Sequence, residues 1–237
     1  MAFLAAGVIK GTLGVGLPIA AVGLMTQFID PRLAISLVVF PIMFSNIWQI
    51  YRAGEIKKTV MKYWMFAVVL AISLMITTSY TAKVATDFLV AFVGVVIILF
   101  SLMNLMSTPP SIPEKFDRPG QLIAGLTAGV MGGFTAIWSP PIAAYLIARN
   151  TNKDGFVRAT GFLFLVGSIP LCLGFWQNGL MTGPVALVST GMIIPTLAGF
   201  SVGEIIRRKL KPDRFKRLVL FFFLLIGLNL IRKAVYG

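Results

Sequence analysis

The chain has no histidine, a single cysteine and only eight acidic residues among 237. With no histidine and one thiol, no Cys/His metal cluster can form, and Cys172 can close no disulfide within the chain. Cys172 lies in an apolar run and reads as a small packing residue. The acids Asp30, Glu55, Asp87, Glu114, Asp117, Asp154, Glu204 and Asp213 all fall in loops or at the ends of apolar segments. None stands mid-membrane, where cation- and proton-coupled carriers keep a carboxylate, so neither a cation substrate nor a side-chain proton relay is expected. Nucleophile–base pairs, phosphate loops and acidic dyads are also missing. The chain does not read as an enzyme, and neither a metal nor a cofactor is expected.

What it has is apolar length. Hydrophobic residues make up 57 % and charged residues 12 %, against about 25 % charged in soluble domains. Mean hydropathy is +0.90. Runs such as "YWMFAVVLAISLMITTSY" at 63–80 are long enough to cross a bilayer. Apolar segments fall at about 3–28, 31–53, 60–81, 84–106, 120–149, 156–178, 181–207 and 213–236. This is an all-α, multi-pass integral membrane protein with no soluble domain left over. The opening "MAFLAAGVIK" lacks a basic leader and reads as mature protein. The net charge of +13 points to topology rather than to nucleic acid, because the cations collect between apolar segments.

The proline-rich stretch 107–119 separates a first repeat, 1–106, from a second, 120–237. Gly7, Gly11 and Gly14 return 118 residues later as Gly125, Gly129 and Gly132. "PIAA" at 18–21 returns at 141–144, and an offset of 125 pairs Ala34 with Ala159, Gly54 with Gly179 and Asn104 with Asn229. Their order indicates internal duplication. The loop after segment 2 is basic (Arg52, Lys57, Lys58, Lys62), whereas its counterpart "QNGLMTG" at 177–183 has no cation and its flanking loops do. The halves are therefore expected to be inverted.

Inversion needs an odd number of crossings per half, yet each half shows four segments. Segments 1 and 5 are expected to be re-entrant pairs of half-helices, each entering and leaving by one face and broken near mid-membrane. Each half then adds three full spans, giving seven to eight apparent transmembrane segments. On this arrangement one face collects 16 Lys/Arg and the other four, with Lys10 inside the first half-helix. Eight full crossings with parallel halves are the alternative, and they leave strongly basic loops on both faces.

Irregular backbone survives at membrane depth only where protein buries it or where it lines a wet cavity. Half-helices beginning near Pro18 and Pro141 would aim free amides and a positive dipole end inward, which suits an anion. Candidate site residues at the first break are Thr12, Gly14 and Gly16, and at the second Gly132, Gly133, Thr135, Trp138 and Ser139. Gly7–Gly11 and Gly125–Gly129 equally fit simple helix packing. Asn46 and Gln49 share one helical face and either donate to the anion or bond a neighbouring helix. Arg158 and Lys10 either stand near the pathway or snorkel as anchors, so backbone dipoles are expected to supply the binding charge. Trp48, Trp64 and Trp176 read as interfacial.

"GVIKGTLGVGLP" (7–18) and "GLTAGVMGGFTAIWSPP" (125–141) resemble the duplicated glycine-rich openings of the sulfite exporter TauE/SafE family of bacterial membrane permeases. "RATGFLFLVGSIPLCLG" from 158 and "LVLFFFLLIGLNLI" near the end are similar to later spans of that family. The resemblance covers essentially the whole chain. It implies a permease of the bacterial inner membrane for sulfite, organosulfonates or related anions. The expected partners are thus a small sulfonate-like anion and the lipid bilayer, with no nucleic acid and a homo-oligomer permitted. The other readings are a carrier of a different organic anion or neutral solute, and a scaffold subunit that transports nothing.

Overall fold

The computed structural model describes residues 1–105, 111–209 and 212–236. The linker residues 106–110 and Lys211 lie outside the described residues. No strand occurs among the described residues. Helices follow in the order α1 Ala2–Leu13, α2 Leu17–Met25, α3 Pro31–Leu37, α4 Val39–Ala53, α5 Ile56–Thr81, α6 Thr86–Leu105, α7 Asp117–Thr135, α8 Ser139–Ala148, α9 Lys153–Gln177, α10 Gly183–Gly191, α11 Ile193–Lys209 and α12 Pro212–Tyr236.

Six stretches among the described residues are long and apolar enough to cross a membrane: Pro31–Ala53, Ile56–Thr81, Thr86–Met103, Asp154–Gln177, Gly183–Ile206 and Val219–Tyr236. Segments 1 and 5 are absent from that set. Segment 1 is α1 and α2 on either side of 14–16, and segment 5 is α7 and α8 on either side of 136–138.

Polar contacts fix the direction of each helix. Arg52 at the end of α4 pairs with Glu204 near the end of α11 at 2.6 Å, and Glu55 just before α5 pairs with Arg158 in the first turns of α9 at 3.0 Å. Gln121 near the start of α7 donates to the Lys62 carbonyl at 3.2 Å. These ends share one face, the basic face. At the opposite face Asn178 donates to the Thr78 carbonyl at 3.4 Å, and Lys233 to the Thr26 carbonyl at 3.2 Å. Spans 31–53, 86–103 and 183–206 therefore run toward the basic face, and 56–81, 154–177 and 219–236 run away from it. The broken segments each return to the face they left. The outer ends of α1 and α2 lie at the opposite face, where Met1 and Ala2 meet Phe28 and Ile29 around one cavity. The outer ends of α7 and α8 lie at the basic face, where Arg149 meets Asp117 at 2.7 Å.

Small residues bring the broken segments against long spans. α1 runs parallel to α11, with Gly7 against the backbone of Thr196 and Phe200, and Gly203 against that of Val8. α7 runs parallel to α5 in the same manner, Gly125 meeting Phe66 and Gly133 meeting Thr77 and Thr78. Such close approach is the main source of helix association in lipid, where apolar side chains gain little by leaving hydrocarbon for protein.

The span 31–53 is kinked between α3 and α4. Pro41 has no N–H for the Leu37 carbonyl one turn back. Ser189 of α10, fully buried, donates its hydroxyl to that carbonyl at 2.9 Å and accepts from the Phe40 amide at 3.4 Å. One serine of the second half thus satisfies the kink in the first. Ser189→Ala should leave the Leu37 carbonyl unpaired and destabilise the fold by about 1–3 kcal/mol, read as a lower midpoint in a thermal or denaturant melt.

Topology has its own test. In a Cys172→Ser background, Lys83→Cys and Asn178→Cys should label with an impermeant thiol reagent from the outside of intact cells. Lys57→Cys and Lys115→Cys should label only after permeabilisation. Equal labelling of Lys57→Cys and Asn178→Cys from outside would contradict the helix directions.

Candidate anion site at the first broken helix

Gly14 and Gly16 adopt φ of 80° and 98°, a left-handed backbone that strains any residue with a Cβ. Gly14 ends α1 by donating its amide to the Lys10 carbonyl, and Gly16 caps α2. Pro18 in the first turn of α2 fills a position whose N–H has no helical partner. No side chain caps α2.

A cavity of about 200 Å³ adjoins this break, lined by Lys10, Gly14, Gln49, Arg52, Ala53, Val157, Phe200 and Glu204. It descends from the Arg52–Glu204 ion pair at the basic face to Lys10 and Gly14 at depth. Lys10 is 2 % exposed. Its ammonium donates to Ser45 Oγ at 2.9 Å and to Asn46 Oδ1 at 2.5 Å, both neutral acceptors on α4. It makes no ion pair among the described residues. An ammonium has three donors, and two are engaged. Asn46 Nδ2 and Gln49 Oε1, both buried, have no hydrogen-bond partner among the described residues. Burying a cation without a counter-charge costs several kcal/mol, a cost that an arriving anion removes.

Gly14, Gln49 and, through Lys10, Asn46 are brought together at this cavity. Gln49 donates to the Val157 carbonyl at 2.8 Å and to Thr160 Oγ1 at 3.2 Å, tying α4 to α9 beside it. Gly16 faces Ile9 and Phe223 behind the break. Thr12 turns toward α11, donating to the Val8 and Gly203 carbonyls. Arg158 lies across the first turn of α9 from Val157, paired with Glu55 in a separate cleft.

The second break differs from the expectation. Gly132 and Gly133 stand inside α7, and the break begins at Ala136, whose φ is 56°. The glycine pair serves packing instead: a Cβ on Gly133 would lie 2.5 Å from Thr77 Cβ, and one on Gly132 would lie 2.8 Å from the Trp138 ring. Thr135 accepts from the Ile137 amide at 3.0 Å and so holds the turn. Trp138, edge-on to Phe164 at 6.0 Å, and Ser139 at the start of α8 are each 1 % exposed. Trp138 Nε1 and Ser139 Oγ have no hydrogen-bond partner among the described residues.

Lys10 was legible only as a lone cation, and snorkelling to the interface is not what its side chain does. It turns inward because α4 offers Ser45 and Asn46. Trp48, Trp64 and Trp176 are 43 %, 55 % and 62 % exposed, as an interfacial position requires.

The sulfite exporter TauE/SafE family model matches residues 1–230. The chain belongs to the sulfite exporter TauE/SafE family. Membership makes it a multi-pass permease of the inner membrane, in agreement with the six candidate spans. No curated relative and no solved structure matches. Within this TauE/SafE chain the glycine-rich signature serves two ends, a left-handed break at Gly14 and Gly16 and helix contact at Gly132 and Gly133.

Gly133→Val should therefore act on assembly. Its side chain would collide with Thr77, so the yield of folded, detergent-stable protein should fall, as it should for Gly129→Val, which meets Ser73. Normal yield and melting of Gly133→Val would refute that packing role.

Proposed function

We propose that this chain carries sulfite or a small organosulfonate across the membrane, binding it beside Lys10 at the first break. The observation that carries this reading is a fully buried ammonium with neutral partners only, at the floor of a cavity. A sulfonate or sulfite offers several acceptor oxygens, so it can take the third lysine donor, Asn46 Nδ2 and the free amides of α2 together. Gly14 lets the oxyanion approach the backbone, Gly16 shapes the turn behind it, and Gln49 holds α9 at the wall. The helix terminus contributes roughly half a charge, and Lys10 supplies the full one.

The two repeats, 1–106 and 120–237, are read as inverted copies, because equivalent spans run in opposite directions. The basic face is then cytoplasmic, and the cavity opens toward it past Arg52 and Glu204. That suits loading from the cytoplasm for export. Trp138 Nε1 and Ser139 Oγ at the start of α8, with Thr135 shaping the turn, are proposed as the corresponding donors in the state that opens to the other face. Gly132 and Gly133 contribute by positioning α7. Arg158 raises the local concentration of anions at the basic face.

A neutral-solute carrier would leave Lys10 uncompensated, and a scaffold would have no use for a cavity with unpaired polar atoms. Sulfite binding and uptake into proteoliposomes test the reading. Lys10→Gln should lower sulfite affinity about tenfold or more, since a hydrogen bond to a charged group is worth about 1.5–3 kcal/mol and about 1.4 kcal/mol is a factor of ten. Wild-type affinity and flux in folded Lys10→Gln would refute it.

A further inference from the structure

We propose that the basic face carries a second anion site, one that holds the phosphate of an anionic phospholipid whose acyl chain lies in the groove between α7 and α8. The headgroup end is a cleft of about 370 Å³ between the start of α5 and the turn from α8 to α9. Lys58, Lys62, Arg149 and Arg158 line it. Glu55 engages Lys58 at 3.2 Å and Arg158 at 3.0 Å, and Asp117 engages Arg149 at 2.7 Å. Burial alone would raise the Asp117 pKa, but hydrogen bonds from Tyr145 and Gln121 and the charge of Arg149 hold it below the usual value, so Asp117 stays ionised. Four cations thus face two carboxylates. Lys62 has no carboxylate among the described residues and rests over the Tyr63 ring at 5.3 Å. The buried hydroxyl of Thr151, also in the lining, has no hydrogen-bond partner among the described residues. The surplus of positive charge matches a phosphate monoester.

The tail end is a groove of about 380 Å³ whose wall is apolar, formed by residues such as Ile112, Ile123, Pro141 and Ala144. Cleft and groove adjoin at two points. Tyr63 of the cleft meets Tyr145 of the groove edge-on at 6.4 Å, and Arg149 of the cleft donates to the carbonyl of Ile112 at 2.7 Å. A basic pocket at the membrane surface that continues into an apolar trough has the polarity of a phospholipid with its headgroup at the basic face. A soluble anion would use the cleft and leave the groove unused. The cleft is also separate from the transport cavity: Val157 faces the cavity and its neighbour Arg158 faces the cleft.

The test titrates the detergent-purified full chain with dioctanoyl phosphatidic acid, dioctanoyl phosphatidylcholine and inorganic phosphate, read by thermal shift and intact-complex mass. Phosphatidic acid should bind saturably and at least about tenfold more tightly than either of the others. Lys58→Gln with Lys62→Gln, two exposed positions, should remove most of that preference. Ala144→Trp, which fills the groove, should weaken phosphatidic acid and leave inorganic phosphate unchanged. Equal binding of the two lipids, indifference to the lysine pair, or phosphate alone binding as tightly as phosphatidic acid would each overturn the proposal.

Discussion

In hydrocarbon every backbone amide and carbonyl has to be paired inside the protein, so a helix can be interrupted only where other protein covers the interruption. The arrangement of this chain follows from that constraint. Its two broken segments are sheathed by long spans, α1 by α11 and α7 by α5, and glycines let the covering backbone come close. The kink at Pro41 obeys the same rule on a smaller scale. The carbonyl left free in one half is taken by Ser189 of the other, so the first half does not satisfy its own backbone alone.

Covering a break also creates a place where charge can sit. α1 ends one turn beyond Lys10, and Ser45 and Asn46 on α4 hold the ammonium inward, away from lipid. The lysine lacks a carboxylate partner among the described residues, and no side chain caps the adjoining α2. We propose that an anion completes this arrangement. Membership of the sulfite exporter TauE/SafE family fits a sulfur-containing anion in that role.

Different parts of this were legible in the sequence to different degrees. The first break was readable because Gly14, Gly16 and Pro18 combine a need for positive φ with a proline suited to a first turn. The second was drawn too wide, over 132–140, of which only 136–138 leave the helices. There glycines are used for contact with Thr77 and Trp138, and an alanine, Ala136, takes the left-handed position that local chemistry would give to glycine. Asn46 and Gln49 were found from their shared helical face, but their partners lie on α1 and α9, respectively. The inward turn of Lys10 depends on residues 35 and 36 positions away, and no local pattern carries that information. The directions of the spans, by contrast, follow from where arginine and lysine collect, a global property that survives errors in any single segment.

The claim that most of the account rests on is that a sulfur oxyanion binds against the Lys10 ammonium. Selenite is a close chemical analogue of sulfite with a strong anomalous signal, and crystals of the protein soaked with it would locate the site directly. The account predicts an anomalous peak within hydrogen-bond distance of Lys10 Nζ, between Gly14 and Gln49, that disappears in Lys10→Gln. No peak at Lys10 in crystals whose cavity opens to the basic face, or a Lys10 peak that survives the substitution, would contradict it.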